Sequence, residues 1–562
     1  MISNKKHIQQ LAAILYLKGI DDIVISPGSR NGPLIHTFTG SGKFNCRSIV
    51  DEHSAGYFAL GLSQVWKKAV ALICTSGTAA LNYAPAVAEA FYQHIPLVVL
   101  TADRPGYLID QGESQTIRQN NIYRDFCKKE ITLPMGESEK ELWYAERMIN
   151  EVLNTVFFGT PGPVHINVPM EKPLHELMNE ELPPVKIIET SFTKNTLRKK
   201  ELEKLAAIFN RAKKVLILAG QQAPNPKLEK LLAGLSEKSG AVILKEHLAN
   251  LNDPLFCGSP DLFVTSLLTE NISGYQPDLL ITFGGLIVSK PLKQFLRKNP
   301  PRHHWHLSPS YQHMDTCQSL TRVIPMESRL FFEQITKHVE HKEQSFFLRW
   351  KKREQQVYRV RDEFLSQIDF CDLSVFNLLQ KRIPENSVVH LGNSSPVRYA
   401  LICDPVKNIH YLGNRGTSGI DGSLSTAVAF ASGSKKLNTV ILGDLSFFYD
   451  SNALWNKFVG DNLRIIVIHN GGGNIFSMIK GPGESPAFDE FFFTENKVSA
   501  EGIAKTFGLD YFRATNEPEL EMKLKKFYLH NGGKAAVLEV FTDAEQNTRM
   551  FRELFNIIKI TE

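Results

Sequence analysis

The sequence predicts an α/β protein with three doubly wound, mainly parallel sheets. Short apolar, β-branched runs alternate along the chain with longer amphipathic segments, and this alternation is typical of parallel sheets covered by helices on both faces. The length of 562 residues allows about three or four domains at ~150 residues each. Apolar residues make up 43% and charged residues 22% of the chain, which is typical of a folded globular protein.

The first predicted block spans residues 1–182. It opens with an amphipathic helix around residues 11–17, where Lys18 interrupts an apolar run too short for an export signal. Pro183 and Pro184 then begin a polar, Lys-rich stretch with the composition of a linker. The predicted strands of this block are residues 22–26, 47–50, 70–74, 97–102 and 164–168.

Two further blocks are predicted, over residues 183–340 and 341–562. A charged helical stretch at residues 341–364 opens the third block as a connector. The predicted strands of the second block are residues 215–219, 241–245, 279–283 and 304–307. Those of the third block are residues 387–391, 409–412, 439–442, 465–468 and 536–541.

Composition disfavours several classes of protein. The formal net charge is only +5 and the basic residues are spread along the chain, so nucleic-acid binding is not expected. The seven cysteines include no CxxC pair, which argues against a zinc ribbon or a disulfide framework and favours a reducing cytoplasm. The uncharged window at residues 69–88 carries Thr75, Ser76 and Asn82, which are costly in hydrocarbon, so no membrane insertion is expected.

Two polar clusters follow neighbouring predicted strands of the third block. The first is Gly443-Asp444-Leu445-Ser446, and the second begins at Asn470 and runs through three glycines. A carboxylate, an amide oxygen and a backbone carbonyl at adjacent strand ends can share one hard cation, and glycines let a diphosphate approach the main chain. Either cluster alone is better explained as a turn with a helix cap or as a flexible loop. Their pairing favours a metal and diphosphate site.

This pairing resembles the diphosphate–magnesium motif of thiamine-diphosphate (ThDP) enzymes. Such enzymes also need a glutamate on a separate pyrimidine-binding domain. Glu52 follows a predicted strand of the first block and begins a helix. Alone it would be explained as an acid favoured by the helix dipole. Together with the first motif, it indicates catalysis.

Longer motifs are similar to one ThDP family, 2-succinyl-5-enolpyruvyl-6-hydroxy-3-cyclohexene-1-carboxylate (SEPHCHC) synthase. The resemblance spans the first and third blocks, whereas the second block matches mainly through Ser289-Lys290. The motifs of the first block are Ile25-Ser26-Pro27-Gly28-Ser29-Arg30, Asp51-Glu52-His53, Thr75-Ser76-Gly77-Thr78-Ala79, Thr101-Ala102-Asp103-Arg104-Pro105 and Gly112-Glu113-Ser114-Gln115-Thr116-Ile117-Arg118-Gln119. Those of the third block are Gly392-Asn393-Ser394, Arg398, Asn414-Arg415-Gly416-Thr417-Ser418-Gly419-Ile420-Asp421-Gly422 and Gly443-Asp444-Leu445-Ser446.

The resemblance implies a transferase of menaquinone (vitamin K2) biosynthesis. Its members decarboxylate 2-oxoglutarate on ThDP with Mg²⁺, or Mn²⁺ as an alternative, and add the succinyl-carbanion equivalent to isochorismate. The resemblance makes Glu52 the catalytic residue and assigns the metal to Asp444, Asn470 and the Gly472 carbonyl. It implies cofactor contacts at Glu52, Gly416, Ile420, Gly443, Asp444, Leu445, Ser446, Asn470, Gly472 and Phe476. It implies substrate contacts at Ser29, Arg30, Arg104, Gln115, Lys290, Ser394, Arg398 and Arg415.

Several of these residues have an ordinary structural alternative. Any lone arginine could be a solvated surface group. Ile420 could be a core residue, Phe476 could begin a buried helix, and Ser29 could cap a helix. The chain also departs from the family pattern in two places: His469 stands where a paired asparagine is familiar, and Ser395-Pro396 follows Ser394.

The resemblance further implies a homodimer with active sites at the subunit interface, and a homotetramer is the alternative. Two other functions compete with the synthase. The first is another ThDP-dependent 2-oxoacid decarboxylase or acetohydroxyacid-synthase-like carboligase, whose middle domain could carry FAD. The second is a catalytically silent ThDP-fold scaffold protein, against which the joint presence of Glu52, Asp444 and Asn470 argues.

Overall fold

Three β-sheets of five or six strands form the framework of the chain in the computed structural model, which describes residues 1–191, 193, 195–267, 272–479, 481–530 and 532–560. The strands are β1 (Ile2–Ser3), β2 (Asp22–Ile25), β3 (Asn45–Ser48), β4 (Val70–Cys74), β5 (Leu97–Asp103), β6 (Glu130–Thr132), β7 (Val164–Pro169), β8 (Leu177–Met178), β9 (Val215–Ala219), β10 (Val242–Lys245), β11 (Leu279–Phe283), β12 (His303–Leu307), β13 (Arg322–Ile324), β14 (Val388–Leu391), β15 (His410–Leu412), β16 (Asn438–Gly443), β17 (Leu463–His469), β18 (Asp510–Ala514) and β19 (Ala536–Phe541).

Helices connect most of these strands and cover the sheets. They are α1 (Lys6–Leu17), α2 (Gly32–Gly40), α3 (Glu52–Trp66), α4 (Thr78–Asn82), α5 (Ala84–Gln93), α6 (Glu139–Thr155), α7 (Lys199–Arg211), α8 (Pro226–Ser239), α9 (Pro260–Ser266), α10 (Lys290–Lys298), α11 (Ser328–Ile335), α12 (Ser345–Gln367), α13 (Asp372–Arg382), α14 (Ser395–Ile402), α15 (Ser423–Ser432), α16 (Asp444–Tyr449), α17 (Ile475–Met478), α18 (Glu501–Thr506), α19 (Glu517–Leu529) and α20 (Ala544–Lys559).

The first and third sheets have the same topology. Their strand orders are β3-β2-β4-β5-β7-β6 and β15-β14-β16-β17-β19-β18. The order reverses between β2 and β4 in one sheet and between β14 and β16 in the other. Ligands of open parallel sheets bind at such a reversal, beyond the carboxyl ends of the strands. The first and third sheets therefore each have one such candidate ligand-binding edge.

The central strands are buried on both faces. All five residues of β4 are fully buried, and β4 pairs in parallel with β2 (Ile23 opposite Ala71) and with β5 (Val70 opposite Leu97). The second sheet, in the order β10-β9-β11-β12-β13, is also parallel throughout. Near-continuous apolar strands of this kind are typical of sheets covered on both faces. The predicted α/β class with three doubly wound, mainly parallel sheets is confirmed.

The chain divides into two compact units. The first unit comprises Met1–Thr193, Asn414–Lys435 and Tyr449–Leu463, and it contains the first sheet. In this unit α3 packs closely on α15: a Cβ at Gly61 would lie 2.4 Å from the carbonyl oxygen of Thr426, so only glycine permits the observed approach. The second unit comprises Lys194–Gly413, Lys436–Phe448 and Arg464–Glu562, and it contains the second and third sheets.

Some predicted boundaries are wrong. The strand predicted at residues 47–50 runs over Asn45–Ser48, because the apolar Ile49 and Val50 that suggested a strand follow it instead. The connector predicted at residues 341–364 is the helix Ser345–Gln367, which begins where the buried Phe346 and Phe347 anchor it. The sequence does not predict the strands β6, β13 and β18, because only one residue of each is buried.

Among the described residues, no helix is both long enough and apolar enough to cross a membrane.

Candidate active site

Arg30 and Arg104 place two positive charges near the carboxyl end of the first sheet. Arg30 is 5% exposed and donates from Nη1 to the carbonyl oxygen of Met170 at 3.1 Å. Burial lowers the pKa of Arg30, and the positive charge of Arg104 lowers it further. Arg104 donates from Nη2 to the carbonyl oxygen of Ser114 at 2.7 Å. The negative charges of Asp103 and Glu113 offset these effects only in part, so the two guanidinium groups in this partly buried place favour an anionic ligand.

Ser29 and Gln115 lie in the exposed loops around this pair of arginines. The turn before Ser29 requires a glycine, because a Cβ at Gly28 would lie 2.4 Å from the Cβ of Thr75. Gln115 has a positive φ of 53°, and its carbonyl oxygen accepts a hydrogen bond from the Ser76 hydroxyl at 2.8 Å. The loops after β2, β4 and β5 therefore pack together at one edge of the sheet.

Glu52 begins α3, as predicted, and is half-buried. The preceding Asp51 caps the helix by accepting a hydrogen bond from the Ser54 amide at 3.1 Å. Burial raises the pKa of Cys74 and Tyr83, and the negative charge of Glu52 raises both further. Glu52 is thus near the end of β4, beside the strand-order reversal of the first sheet.

The loop that holds Arg415, Gly416 and Ile420 belongs to the same compact unit as Glu52. All three residues are half-buried. The loop ends at Asp421, which accepts a hydrogen bond from the Tyr57 hydroxyl at 2.8 Å and lies 3.3 Å from Nε2 of His53. Ile420 is therefore held beside the first turns of α3.

Asp444 lies at the carboxyl end of β16 and is 1% exposed. Burial raises the pKa of its carboxyl group, although the hydrogen bond from the Leu445 amide and the charge of His469 each lower it. One carboxylate oxygen accepts from the Leu445 amide at 2.8 Å, and the other accepts from Nδ2 of Asn496 at 3.2 Å. Among the described residues, none has a heavy atom within 4 Å of the place a Cβ of the neighbouring Gly443 would occupy. This open space lies directly beside the buried carboxylate.

Asn470 lies at the end of β17 and is oriented by a second buried carboxylate. Its Nδ2 donates to Oδ2 of Asp372 at 2.8 Å, so its carbonyl oxygen points away from Asp372. Burial raises the pKa of Asp372 to about 6, and the negative charge of Asp444 adds to this shift. Asp372 and Asp444 are therefore close enough to repel each other. A divalent cation would relieve this repulsion.

The second and third glycines after Asn470 are required by the backbone that they face. Gly472 has a φ of +147°, and a Cβ there would lie 2.5 Å from the carbonyl oxygen of Phe493. Within the described part of the chain, the Gly472 carbonyl accepts one hydrogen bond, from the Asn474 amide at 2.9 Å, and a carbonyl oxygen has two lone pairs. Phe476 is half-buried in the short helix α17 and packs edge-on against Phe492, with the ring centroids 5.7 Å apart.

His469 is turned toward acceptors on both sides. Its Nδ1 lies 2.7 Å from Oε1 of Glu539, and its Nε2 lies 3.2 Å from the carbonyl oxygen of Asn496. Burial opposes a charge on the ring, but the hydrogen bond to Glu539 and the charge of Asp444 outweigh burial and raise the pKa of His469. The histidine that departs from the family motif is thus buried, and its Nε2 lies 3.9 Å from Oδ2 of Asp444.

Ser394, Arg398 and Lys290 occupy helix starts in the second unit. Ser394 precedes α14 with a φ of +70°, and its carbonyl oxygen accepts from Nη1 of Arg398 at 2.6 Å. Burial lowers the pKa of Arg398, and the charge of Asp261 opposes this shift. Lys290 is exposed at the first position of α10, whose N-cap is Ser289. Pro396 lies in the first turn of α14, where proline is tolerated.

Comparison with known families extends over most of the chain. Residues 6–122 match the model "Thiamine pyrophosphate enzyme, N-terminal TPP binding domain", residues 186–391 match "Middle domain of thiamine pyrophosphate", and residues 398–540 match "Thiamine pyrophosphate enzyme, C-terminal TPP binding domain". The SEPHCHC synthase of Bacteroides thetaiotaomicron is 40% identical over 100% of both chains. The chain belongs to the SEPHCHC synthase family. The synthase of Flavobacterium johnsoniae is 39% identical over 97% of this chain and 98% of its own.

The same fold occurs among solved structures. Benzoylformate decarboxylase from Polynucleobacter necessarius superposes with a TM-score of 0.69 at 15% identity, covering 97% of this chain and 99% of its own. The superposition shows the fold, and the matches to ThDP-binding domains and to SEPHCHC synthases show that this family member is a ThDP-dependent enzyme.

The residues of the third sheet fit the diphosphate and cation of such an enzyme. The donor set contains a buried carboxylate, an amide oxygen turned away from its neighbour, a carbonyl with a spare lone pair and open space beside Gly443. Among the described residues, no three His, Cys, Asp or Glu side chains form a metal cluster. This finding is compatible with the donor set above, which contains only one carboxylate and otherwise uses amide and carbonyl oxygens.

Sequence reasoning missed the residues that hold the site from a distance. Asp372 orients Asn470, and Asn496 links the Asp444 carboxylate to the carbonyl oxygen of Gly471, to which its amide donates at 2.8 Å. Glu89 holds the amides of Gly416 and Thr417. No local pattern marked these residues, because each reaches its partner across a long stretch of sequence.

Proposed function

We propose that this enzyme converts 2-oxoglutarate and isochorismate into SEPHCHC and CO₂, using ThDP and Mg²⁺, as a step of menaquinone biosynthesis. The five-carbon acid loses CO₂, and the remaining four-carbon succinyl unit forms a carbon–carbon bond to isochorismate. The observation that carries the proposal is 40% identity over the full chain to a SEPHCHC synthase. The strand-end arrangement of Glu52, Asp444 and Asn470 supports it.

The third sheet would hold the diphosphate end of the cofactor. We assign Mg²⁺, with Mn²⁺ as an alternative, to Asp444, Asn470 and the Gly472 carbonyl. Buried Asp372 and Asp444 provide the negative potential that a hard cation prefers. The open side of Gly443 leaves room for the diphosphate. Further cofactor contacts are proposed at Leu445, Ser446, Phe476, Gly416 and Ile420.

ThDP supplies an electron sink that allows a 2-oxo acid to lose CO₂. Glu52 is proposed to hydrogen-bond the aminopyrimidine ring and to support proton movement there. Its place at the start of α3, anchored by the Asp51 cap, presents a carboxylate in a half-buried site. A carboxylate can accept and return a proton in such a place, whereas an amide cannot.

Both substrates are dicarboxylic, so the pocket must supply positive charge. We assign their carboxylates to Arg30, Arg104, Arg398, Arg415 and Lys290. Burial disfavours the charged form of Arg30 and Arg398, so an anionic ligand would relieve a cost that the folded chain carries. Planar guanidinium groups also bind carboxylates bidentately. The polar contacts are completed by Ser29, Gln115 and Ser394.

Three features of organisation belong to the same proposal. The domains are a pyrimidine-binding domain at residues 1–182, a central domain at 183–340, and a connector with the diphosphate domain at 341–562. The active form is a homodimer whose active sites lie at the subunit interface, with a homotetramer as the alternative. A cytoplasmic location is supported by six cysteines buried as thiols, several of whose pKa values burial raises.

A direct test incubates the purified holoenzyme with 2-oxoglutarate, isochorismate, ThDP and Mg²⁺ and identifies the product by mass spectrometry. We expect a product with the mass of SEPHCHC and one CO₂ per product molecule. Pyruvate in place of 2-oxoglutarate serves as the control, since an acetohydroxyacid-synthase-like carboligase would prefer it. Turnover of pyruvate with none of 2-oxoglutarate would contradict the proposal, and a yellow, flavin-containing preparation would point to the same alternative.

A further inference from the structure

Glu89 is a buried carboxylate with an unusual set of partners. It lies in α5 and is 0% exposed. Its Oε1 accepts from the Gly416 amide at 2.7 Å and from Nε2 of Gln93 at 2.5 Å. Its Oε2 accepts from the amide and the hydroxyl of Thr417, both at 2.6 Å. Four donors thus converge on one carboxylate, and three of them belong to two consecutive residues of one loop.

The burial of the Glu89 carboxylate has a free-energy cost. A carboxylate out of water loses its hydration, and no ion pair of Glu89 is seen among the described residues. Hydrogen bonds to the charged group must therefore offset the cost of burial. The loop backbone also approaches closely, since a Cβ at Gly416 would lie 2.6 Å from the backbone carbonyl oxygen of Glu89. Glu89 and Gly416 are fitted to each other.

The loop is held at its other end as well. Asp421 accepts from the Tyr57 hydroxyl at 2.8 Å and faces His53, whose ring nitrogen is 3.3 Å away. The pKa of Asp421 is lowered because its hydrogen bonds to His53 and Tyr57 outweigh its burial. Hydrogen bonds to a carboxylate therefore fix both ends of the segment that begins at Arg415: Glu89 accepts at one end and Asp421 at the other. Arg415 directly precedes the two amides that Glu89 binds.

We propose that Glu89 is a positioning residue that sets the location of Arg415 for binding a substrate carboxylate. This inference rests on the proposed function, in which Arg415 makes that contact. Glu89 acts through the backbone: its two oxygens fix the amides of Gly416 and Thr417, and the fixed peptide plane determines where the Arg415 side chain begins. A purely structural role would instead hold the fold together without changing substrate affinity.

The test compares four variants of the full-length holoenzyme with the wild type: Glu89→Gln, Arg415→Ala, the double variant, and Asp278→Asn as a matched control. Asp278 also accepts hydrogen bonds from two consecutive amides, those of Lys213 and Lys214, each at 3.0 Å, but it lies beside the second sheet and contacts none of the assigned residues in these bonds. The glutamine variant keeps the size of Glu89 but turns an NH₂ group toward at least one loop amide, so that two donors face each other.

We expect Glu89→Gln to raise the KM for at least one of the two proposed substrates by roughly tenfold, the effect of losing one hydrogen bond to a charged group. The Kd of ThDP, followed by tryptophan fluorescence, should change less than about twofold. In the Arg415→Ala background, Glu89→Gln should raise that KM by less than about twofold, because the group it positions is gone. Hydrogen–deuterium exchange of residues 414–421 should be faster in Glu89→Gln, and Asp278→Asn should leave KM and this exchange unchanged.

The possible failures are distinguishable. If Arg415→Ala leaves the KM for both substrates unchanged, the assignment of Arg415 in the proposed function is wrong. The positioning role is overturned if Arg415→Ala raises KM but Glu89→Gln raises KM by the same factor with and without Arg415. It is also overturned if Glu89→Gln lowers thermal stability and leaves KM unchanged. If Glu89→Gln does not fold, the same KM measurements are made on Thr417→Ala with and without Arg415, because this variant removes only the hydroxyl donor to Glu89. A rise in KM by about threefold that is absent without Arg415 supports the proposal, and an unchanged KM refutes it.

Discussion

Asp372 should control the affinity of the enzyme for Mg²⁺ although it is not an assigned metal ligand. It is 0% exposed, and its Oδ2 accepts from Nδ2 of Asn470 at 2.8 Å. This bond turns the carbonyl oxygen of Asn470 away from Asp372, so that this oxygen would be available to the assigned cation. The substitution Asp372→Asn allows the Asn470 amide to flip, because the new NH₂ group is best paired with an oxygen. A flipped Asn470 would present hydrogens to the cation.

The expected magnitude follows from two losses. Removal of a partner that orients a metal ligand typically reduces metal affinity ~10–100-fold. The variant also removes one of two buried negative charges near the site, which lowers the attraction for a cation in the same direction. We therefore expect the half-saturating Mg²⁺ concentration to rise by at least about tenfold at saturating ThDP.

The assay titrates Mg²⁺ into enzyme stripped with a chelator and follows both product formation and tryptophan fluorescence. The matched control is Thr542→Val, which removes the hydrogen bond that the Thr542 hydroxyl donates to Oδ1 of Asp372 at 2.6 Å but keeps the charge and the Asn470 contact. Its half-saturation should change by less than about threefold. An Asp372→Asn enzyme with wild-type Mg²⁺ half-saturation would refute this reasoning.

Three further predictions follow from other parts of the molecule. Arg398→Ala and Arg415→Ala should each raise the KM for an anionic substrate by roughly ten- to hundredfold with little change in the Kd of ThDP; loss of ThDP affinity alone would place these arginines on the cofactor. Burial lowers the pKa of His53, but the hydrogen bond to Asp421 and the negative charges of Asp450, Asp421 and Asp51 outweigh burial and raise it. The stability that His53 contributes is therefore present at low pH and is lost as pH rises through the raised pKa. The free energy of urea unfolding should differ more between wild type and His53→Gln at about pH 6 than at about pH 8.5. An equal difference at both pH values would contradict the charged pair. Gly422→Ala should destabilise the protein by about 1–3 kcal/mol, because φ is +68° and a Cβ would lie 2.3 Å from a tyrosine ring; an unchanged thermal midpoint would show that the loop relaxes freely.

The central strands could be predicted from the sequence because burial leaves a direct pattern. The strands Val70–Cys74, Val215–Ala219 and Leu279–Phe283 occur at the predicted residues, and nearly all of their side chains are buried. The edge strand Asp510–Ala514 escaped prediction, since only its last residue is buried and its apolar side chains do not alternate clearly. Edge strands are shaped by their neighbour more than by their own residues.

The same distinction applies to the site. Residues within local motifs, such as Asp444 beside a strand end and Glu52 at a helix start, could be placed by pattern and resemblance. Glu89 and Asp372 could not, because a buried carboxylate in a helix is recognisable only once its distant hydrogen-bond donors are known. Local spacing indicates which residues lie next to a strand end or a helix start, whereas tertiary contacts decide which distant residues hold them in place.

The most direct test of the account is complementation between two inactive variants. Glu52→Gln should fold and bind ThDP but turn over slowly, and Asp444→Ala should bind ThDP weakly even with added Mg²⁺. If each active site combines Glu52 of one subunit with Asp444 of the other, a mixed dimer contains one doubly defective site and one intact site. With random exchange about half of the dimers are mixed, so roughly a quarter of wild-type activity should return. No recovery after confirmed subunit exchange would contradict the account and place both residues in sites formed within one chain.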